Sequence, residues 1–496
     1  MGIVIAIDAG TTGIRSTAVN EAGHIVGFSY EEFTQHFPQP GWVEHDASEI
    51  WETACRTMAD LVAGIDEPIA AIGITNQRET VVAWDRSTGE PVHNAIVWQD
   101  RRTADATSAL EAAGHLPLIR QQTGLVLDPY FSASKITWLL DEGGVTATAN
   151  LALGTVETWL IWKLTGGESF VTEPSNASRT LLFDLDAMAW SPDLCELFGV
   201  PAPSLAEIRP SSGDLGTTTD ACPLGAGIPI AGAAGDQQAA LFGQACFSPG
   251  DVKNTYGTGS FVVMNAGETR PAPVDGLLTS VGWQLADGSV TYVLEGAIFV
   301  TGAAVQWLRD GLGIIERAED LEPLAGSCDT TGGVVFVPAL TGLGSPWWDP
   351  EARGTIVGLT RGTGRAEIAR AAMESMVFQT RDVVDAMASA AGAGGAGARL
   401  RVDGGAAAMN TMLQMQADQL AMPVDRPANQ QTTVMGAAYL AGLAAGVWSS
   451  LDDIAARWVL DQAFEPNPDA DRSTGHQQWL RAVERSRNWA GNDAPA

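Results

Sequence analysis

Two carboxylates stand where phosphoryl chemistry could use them. Asp8 ends the apolar run Ile3–Ile7, and Ala9-Gly10-Thr11-Thr12-Gly13-Ile14-Arg15 follows it. Strand, glycine/threonine turn, strand predicts a β-hairpin. Successive amides from Gly10 to Gly13 can face one concavity, the two threonine hydroxyls can donate, and Asp8 can hold a hydrated Mg²⁺ nearby. G-x-G-x-x-G is absent and no helix follows directly, so this is not a dinucleotide loop. Asp236 ends a second apolar strand, Pro229 to Gly235, just before a helical run from Gln237 to Phe242. An aspartate there is ordinarily a cap, and its neighbours must decide otherwise. Asn254 to Ser260 then forms a second glycine/threonine bend between β-rich runs.

The elements that position these groups repeat. A helix is expected to about Val62 with Asp46 or Ser48 as its cap. Ala70–Ile74 reads as a buried strand ending at Thr75–Thr80. Arg78 and Glu79 are adjacent there, so both can reach one ligand only if the backbone bends. Ile96–Gln99 delivers Trp98, and Tyr130–Glu142 leads into an amphipathic helix. Residues 151–164 read as strand then helix, and Ser211–Gly227 as loop. The second half carries a helix starting at Gly302, another from about Arg365 to Met387, and a strand at Leu400–Val402 running into Asp403-Gly404-Gly405 with a helix after it. Ala390–Arg399 reads as a flexible surface connection and Asn492–Ala496 as frayed. Two domains are expected, 1–244 and 245–496. Two facing α/β units would leave a cleft with one phosphate hairpin on each wall and Asp236 between them.

Composition excludes other classes. The five cysteines are scattered without a C-x-x-C, and the six histidines do not cluster, which argues against disulfides and a zinc site. No run is long enough for a spanning helix, so a soluble cytoplasmic protein is expected. Net charge is −31, with 59 acidic against 28 basic residues, three of them lysines (Lys135, Lys163, Lys253). Such a surface repels nucleic acid and anionic membranes, and leaves anionic ligands to backbone amides and a few placed arginines.

Taken together, DAGTTGIR (8–15), GITNQRET (73–80), NAIVWQDRRT (94–103), TGLVLDPYFSASKITWLLD (123–141), NASRT (176–180), AGDQQAALFGQ (234–244), KNTYGTGS (253–260) and LRVDGGA (400–406) resemble the FGGY carbohydrate kinase family, from Ile3 to about Trp448. Gln77-Arg78-Glu79 resembles the branch acting on glycerol rather than on pentuloses. The resemblance implies two RNase H-like, actin-like ATPase domains and ATP-dependent phosphorylation of a terminal hydroxyl of glycerol. It implies Asp236 as general base. Arg78, Glu79, Tyr130, Asp236 and Gln237 would bond the hydroxyls, with Trp98 and Phe261 flanking the carbon chain. Thr11, Thr12, Gly13 and Arg15 would hold phosphates, and Asp8 and Asp236 the Mg²⁺ shell. Thr258, Gly302, Gln306 and Gly405 would carry ADP, with Met409 near the adenine. A homodimer or homotetramer is implied. The family often has Gln at Ala9, Ser at Gly13 and Asn at Met409, which bears on phosphate and base recognition. The loop before Ile228 lacks the arginine-ending segment of members inhibited by fructose 1,6-bisphosphate, and has no histidine, so neither that inhibition nor phosphohistidine activation is expected. The competing readings are a kinase for another small polyol or sugar and a non-kinase actin-like ATPase.

Overall fold

The computed structural model describes residues 2–391 and 398–491. Most of the connection expected at 390–399, and all of 492–496, lie outside the described residues.

The first half builds a six-stranded sheet from β1 (Ile3–Ala9), β2 (Gly13–Val19), β3 (Ile25–Glu32), β4 (Ile69–Asn76), β5 (Ser212–Thr217) and β6 (Pro229–Gly235), in the order β5-β6-β4-β1-β2-β3. Every residue of central β1 is buried except Asp8, whose side chain is partly open. Covered on both faces, β1 reads in sequence as a near-continuous apolar run rather than an alternating one. Helix α1 (Ala47–Val62) packs beside β2 and starts at Asp46, whose carboxylate accepts from the Ser48 amide.

The second half repeats the plan in a seven-stranded sheet. Its strands are β7 (Val252–Tyr256), β8 (Ser260–Gly267), β9 (Leu278–Gln284), β10 (Val290–Ile298), β11 (Leu400–Gly404), β12 (Val424–Pro427) and β13 (Leu460–Phe464), in the order β9-β10-β8-β7-β11-β12-β13. The β1–β2 hairpin corresponds to β7–β8, both antiparallel. Strand β4 runs parallel to β1 as β11 does to β7. The parallel pairs β4–β6 and β11–β12 match, and each ends in an antiparallel edge strand, β5 or β13. Strand β9 is the addition. It lies along the first lobe, where the Thr279 amide donates to the Gly124 carbonyl at 3.0 Å and the Val281 amide to Ser178 Oγ at 3.2 Å.

The segment 211–227, expected as loop, contains strand β5. Its sequence SGDLGT is made of turn residues, only Ser212 and Leu215 are buried, and it pairs on one side with a register shift between Ser212 and Gly216. An irregular edge strand carries neither clean alternation nor an apolar run, so its composition hides it.

The remaining helices that matter to the site are α2 (Ser132–Asp141), α3 (Val156–Leu164), α4 (Asp236–Gly243), α5 (Gly302–Gln306), α6 (Arg365–Ala391), α7 (Asn410–Leu420) and α8 (Thr432–Ala444). Helix α8 belongs to the second half by sequence but packs on the first sheet, against β1, β4, β6 and α4. Glycines make that approach possible. A Cβ on Gly73 would lie 2.1 Å from the Ala437 carbonyl oxygen, and one on Gly436 would lie 1.8 Å from that of Ala239. Backbone thus packs on backbone, and Ala437, Ala438, Leu440 and Ala441 join Val4, Ala6, Ala71 and Ala234 in one core.

Candidate active site

The hairpin expected at Asp8–Arg15 is present, with the Gly10 amide donating to the Gly13 carbonyl at 3.0 Å. Asp8 stands opposite Arg15 on β2 and Thr75 on β4. Burial, and then repulsion from Asp236, raise its carboxyl to about 7, with Arg15 pulling the other way. Gly13 has no room for a side chain, because a Cβ there would meet the Glu31 carbonyl oxygen at 2.5 Å and Tyr30 Oη at 2.8 Å. The Glu31 backbone carbonyl and the Tyr30 ring together leave no room for serine at this position. Arg15 lies over the rings of Phe28 and Tyr30, at 5.4 and 5.6 Å, and its Nη1 donates to Gln431 Oε1.

The backbone bend that Arg78 and Glu79 required is observed. Strand β4 stops at Asn76, and Glu79 takes φ +60°, a conformation rarely adopted by a non-glycine residue. Both side chains then enter one buried lattice. Arg78 Nη1 donates to Glu295 Oε2 at 2.7 Å and to Gln238 Oε1 at 3.1 Å, while its Nε lies 3.3 Å from Asp236 Oδ1. Arg179 Nε donates to Glu79 Oε1 at 2.6 Å, and its Nη1 lies 3.3 Å from Glu295 Oε1. Burial works against every charge here, and pairing decides the outcome differently for each acid. Glu295 faces burial but, with both guanidiniums and Ser280 Oγ on it, is brought down to about 2. For Glu79 burial wins, and its pKa is raised despite Arg179 and Arg78.

Asp236 is the first residue of α4, about one-third exposed at the side chain, at the end of β6. Tyr130 Oη is 3.5 Å from Arg78 Nη2, and its ring meets Trp98 edge-on at 5.6 Å. Burial, and then Glu79, push the Tyr130 hydroxyl up, so it stays protonated and able to donate. Trp98 Nε1 donates to Thr11 Oγ1 at 3.0 Å, joining these aromatic rings to the Asp8–Arg15 hairpin directly. Lys135 sits under these rings, donating to the carbonyls of Pro129, Tyr130 and Phe131 at 2.7, 2.6 and 3.0 Å.

Beneath the cleft a second layer ties the three segments together. The Gly235 amide donates to Ser175 Oγ at 2.9 Å, and that hydroxyl donates to Glu173 at 2.5 Å. Asn176 donates to the same carboxylate and exchanges amide bonds of 3.0 Å with Asn76, which also reaches Glu157 at 3.2 Å. The chain ends bearing Arg78, Arg179 and Asp236 are thereby fixed relative to one another.

In the second lobe, the Asn254–Ser260 bend sits beside α5. The Gly302 amide donates to the Gly257 carbonyl at 3.0 Å and the Ala303 amide to that of Thr258 at 3.0 Å. Thr258, Gln306 and Gly405 are exposed, and Met409 precedes α7, half-buried against the second core. Phe261 lies on β8 opposite Thr255 and makes no ring contact with Trp98 or Tyr130 among the described residues. Thr12, at the tip of the first hairpin, is exposed.

Sequence reasoning assigned no role to Arg179, Glu295, Gln238 or Lys253. Arg179 was inside a quoted motif, NASRT. Glu295 carried a readable signal, an acid within the apolar strand Val290–Ile298, where a charge demands a partner. Gln238 looked like one more polar residue of α4 and gave none.

Among the described residues no group of three or more His, Cys, Asp or Glu could enclose a metal ion. Asp8 and Asp236 nevertheless fit Mg²⁺, which keeps several waters and binds through one or two carboxylates plus phosphate oxygens. Burial first, and then the Asp236 carboxylate, disfavour a charge on Asp8, and a divalent cation between the two would offset both.

Two repeated α/β units, each with a glycine/threonine hairpin at the matching place in its sheet, define the actin-like class of two-domain sugar kinases and ATPases. The chain belongs to the FGGY family of carbohydrate kinases: residues 3–243 match its N-terminal domain and 252–445 its C-terminal domain. It is 54% identical to a glycerol kinase of Symbiobacterium thermophilum over 99% of both chains, and 51% identical to one of Thermus thermophilus over 97% of this chain and 98% of that one. The crystal structure of Plasmodium falciparum glycerol kinase with ADP superposes with a TM-score of 0.93 at 34% identity, covering 98% of each chain. A xylulose kinase of Lactobacillus acidophilus shares the fold at 21% identity, with a TM-score of 0.88 over 99% of each chain.

Proposed function

We propose that the protein is a glycerol kinase, transferring the γ-phosphoryl group of Mg-ATP to a terminal hydroxyl of glycerol and giving sn-glycerol 3-phosphate. The observation that carries the reading is the bend at Glu79, with Arg78 within 4 Å of Glu79, Asp236 and Tyr130 at once. Three hydroxyls on three carbons offer little apolar surface, so recognition must come from polar groups left unpaired when a hydroxyl is missing. Arg78, Glu79, Tyr130, Asp236 and Gln237 supply those groups, and Trp98 walls the carbon chain. Phe261 is assigned to the opposite wall, brought in from β8.

Asp236 acts as general base. A carboxylate suffices as the base because the transferring phosphoryl is loosely bonded and the hydroxyl proton leaves late. The site residues mainly position and neutralise. Thr11, Thr12 and Gly13 offer donors to the phosphates, and Arg15 neutralises them on leaving Gln431. Thr258, Gly302, Gln306, Gly405 and Met409 hold the nucleotide from the second lobe. Asp8 and Asp236 would hold Mg²⁺, which would supply charge neutralisation on the phosphates. Closure of one lobe on the other brings the two substrates into line and excludes water, so ATP hydrolysis without glycerol is slow. The enzyme works as a cytoplasmic homodimer or homotetramer, with residues 1–244 and 245–496 as its domains.

The test is ADP release with Mg-ATP across glycerol, dihydroxyacetone, erythritol and xylulose, with Asp236→Asn alongside. Turnover dominated by glycerol and lowered about 10³-fold in the variant supports the reading. Preference for another polyol overturns the substrate assignment while leaving the family intact.

A further inference from the structure

Lys253 is one of only three lysines in a chain of net charge −31, and its side chain is wholly buried. It starts on β7 of the second lobe and crosses to the first. There Nζ donates to Gln237 Oε1, the residue after Asp236, and to Thr255 Oγ1 of its own strand at 3.0 Å. Burial lowers its pKa to about 8, while the carboxylates of Asp403 and then Asp236 act to keep it charged.

An ammonium has three donors and no acceptor. The Gln237 atom facing it must therefore be the carbonyl oxygen, however the amide is assigned, and a charge-assisted bond holds that choice firmly. Nε2 is then turned away from Lys253. Gln237 is partly exposed, and its Nε2 makes no hydrogen bond among the described residues.

We propose that Lys253 is a positioning residue that sets substrate specificity: it locks the Gln237 amide so that a donor, not an acceptor, faces the substrate hydroxyl. The proposal rests on the reading of Gln237 as a glycerol contact. Donor and acceptor are then divided across the small pocket. Asp236 and Glu79 accept hydrogen bonds from hydroxyls, and Gln237 Nε2 donates one to a hydroxyl lone pair. A free glutamine amide could flip and satisfy either, so without Lys253 the pocket would lose part of its discrimination. Lys253 touches no reacting atom in this scheme and acts through Gln237.

The experiment is a double-mutant cycle. KM for glycerol, KM for ATP and kcat are measured for the wild type, Lys253→Met, Gln237→Leu and the double variant, with Gln237→Glu as a fifth protein. Lys253→Met is expected to raise KM for glycerol about tenfold, the worth of one hydrogen bond, with KM for ATP changed less than about twofold. The double variant should be no worse than Gln237→Leu alone, because the lysine works through the glutamine. Gln237→Glu keeps a partner for Lys253 but has no N–H to give, so its KM should rise as far as that of Gln237→Leu. Full additivity in the cycle, or Gln237→Glu with wild-type KM, overturns the proposal. Should Lys253→Met fail to fold, Lys253→Gln, whose amide can face Gln237 with either donor or acceptor, takes its place in the cycle with the same expected and refuting outcomes. A wild type that prefers another polyol of the panel refutes the glycerol reading instead, and the same five proteins measured on that polyol still test the lock.

Discussion

Replacing Glu295 by glutamine removes the charge that both buried guanidiniums, Arg78 and Arg179, share across the lobes. The side chain keeps its shape, but Arg78 and Arg179 are left with Glu79 as their only fully buried acid, plus the partly exposed Asp236. Two routes give the magnitude. Glu295 moves from the ordinary 4.5 to about 2, which corresponds to about 3 kcal/mol of stability. Removing one partner of a buried ion pair typically costs about 3–5 kcal/mol. Taking about 4 kcal/mol, with an unfolding entropy of about 2.1 cal/mol/K per residue, the melting temperature falls by roughly 4 °C if the whole chain melts together, and roughly 8 °C if one lobe does. Calorimetry at pH 7 on wild type and Glu295→Gln reads this directly. A pKa depressed by folding gives stability that is present above about 4.5 and disappears as pH falls toward 2. The gap between the two proteins should accordingly hold from pH 8 to 5 and narrow only in acid. It should also survive 1 M NaCl, since buried pairs are screened far less than surface ones. A melting temperature within 1 °C of wild type at pH 7, or a gap that salt erases, would refute the argument.

Asp236→Asn should lower kcat by about 10³-fold, within the range for loss of a general base, while calorimetry still detects glycerol binding. Gly13→Ser, although it introduces the hydroxyl common in the family, should destabilise the hairpin by about 1–3 kcal/mol and raise KM for ATP, because its Cβ meets the Glu31 carbonyl; Gly13→Ser combined with Tyr30→Ala relieves only the ring clash. In the ligand-free protein Asp8 holds its proton up to about pH 7. Mn²⁺ affinity in the presence of ADP, followed by electron paramagnetic resonance, should therefore fall about tenfold per pH unit below 7 and level off above, with the slope absent in Asp8→Asn.

Local pattern made much of the scaffold readable. The Asp8–Arg15 hairpin follows from glycine and threonine between two apolar runs, and α6 from its long periodic stretch. The repeat of the hairpin and of the strand-to-glycine-to-helix unit pointed to two facing halves. What stayed hidden was partnership over long sequence distance. Arg78 and Glu79 could be named, yet nothing near them indicates that they meet Arg179, or Glu295 more than 200 residues on. Strand β5 was invisible for the opposite reason, since its residues are those of a turn and only its neighbour β6 makes it a strand. Likewise, the tie between Trp98 and Thr11 depends on a bend and two loops, which hydrophobic periodicity does not encode.

The return of α8 to the first sheet has a consequence for how the molecule is made. The face of β1, β4 and β6 that α8 covers is formed by residues up to 235, but its lid is translated some 200 residues later. At a synthesis rate of about 5–20 residues per second, that apolar face waits roughly 10–40 s on the ribosome for its cover. A fragment ending near Gly243 would keep the Asp8–Arg15 hairpin and Asp236 yet expose Gly73 and Gly232, against which Ala437 and Ala441 pack. The first lobe is thus completed only after almost the entire second lobe has emerged, which makes the nascent chain, more than the finished enzyme, the state most in need of a chaperone.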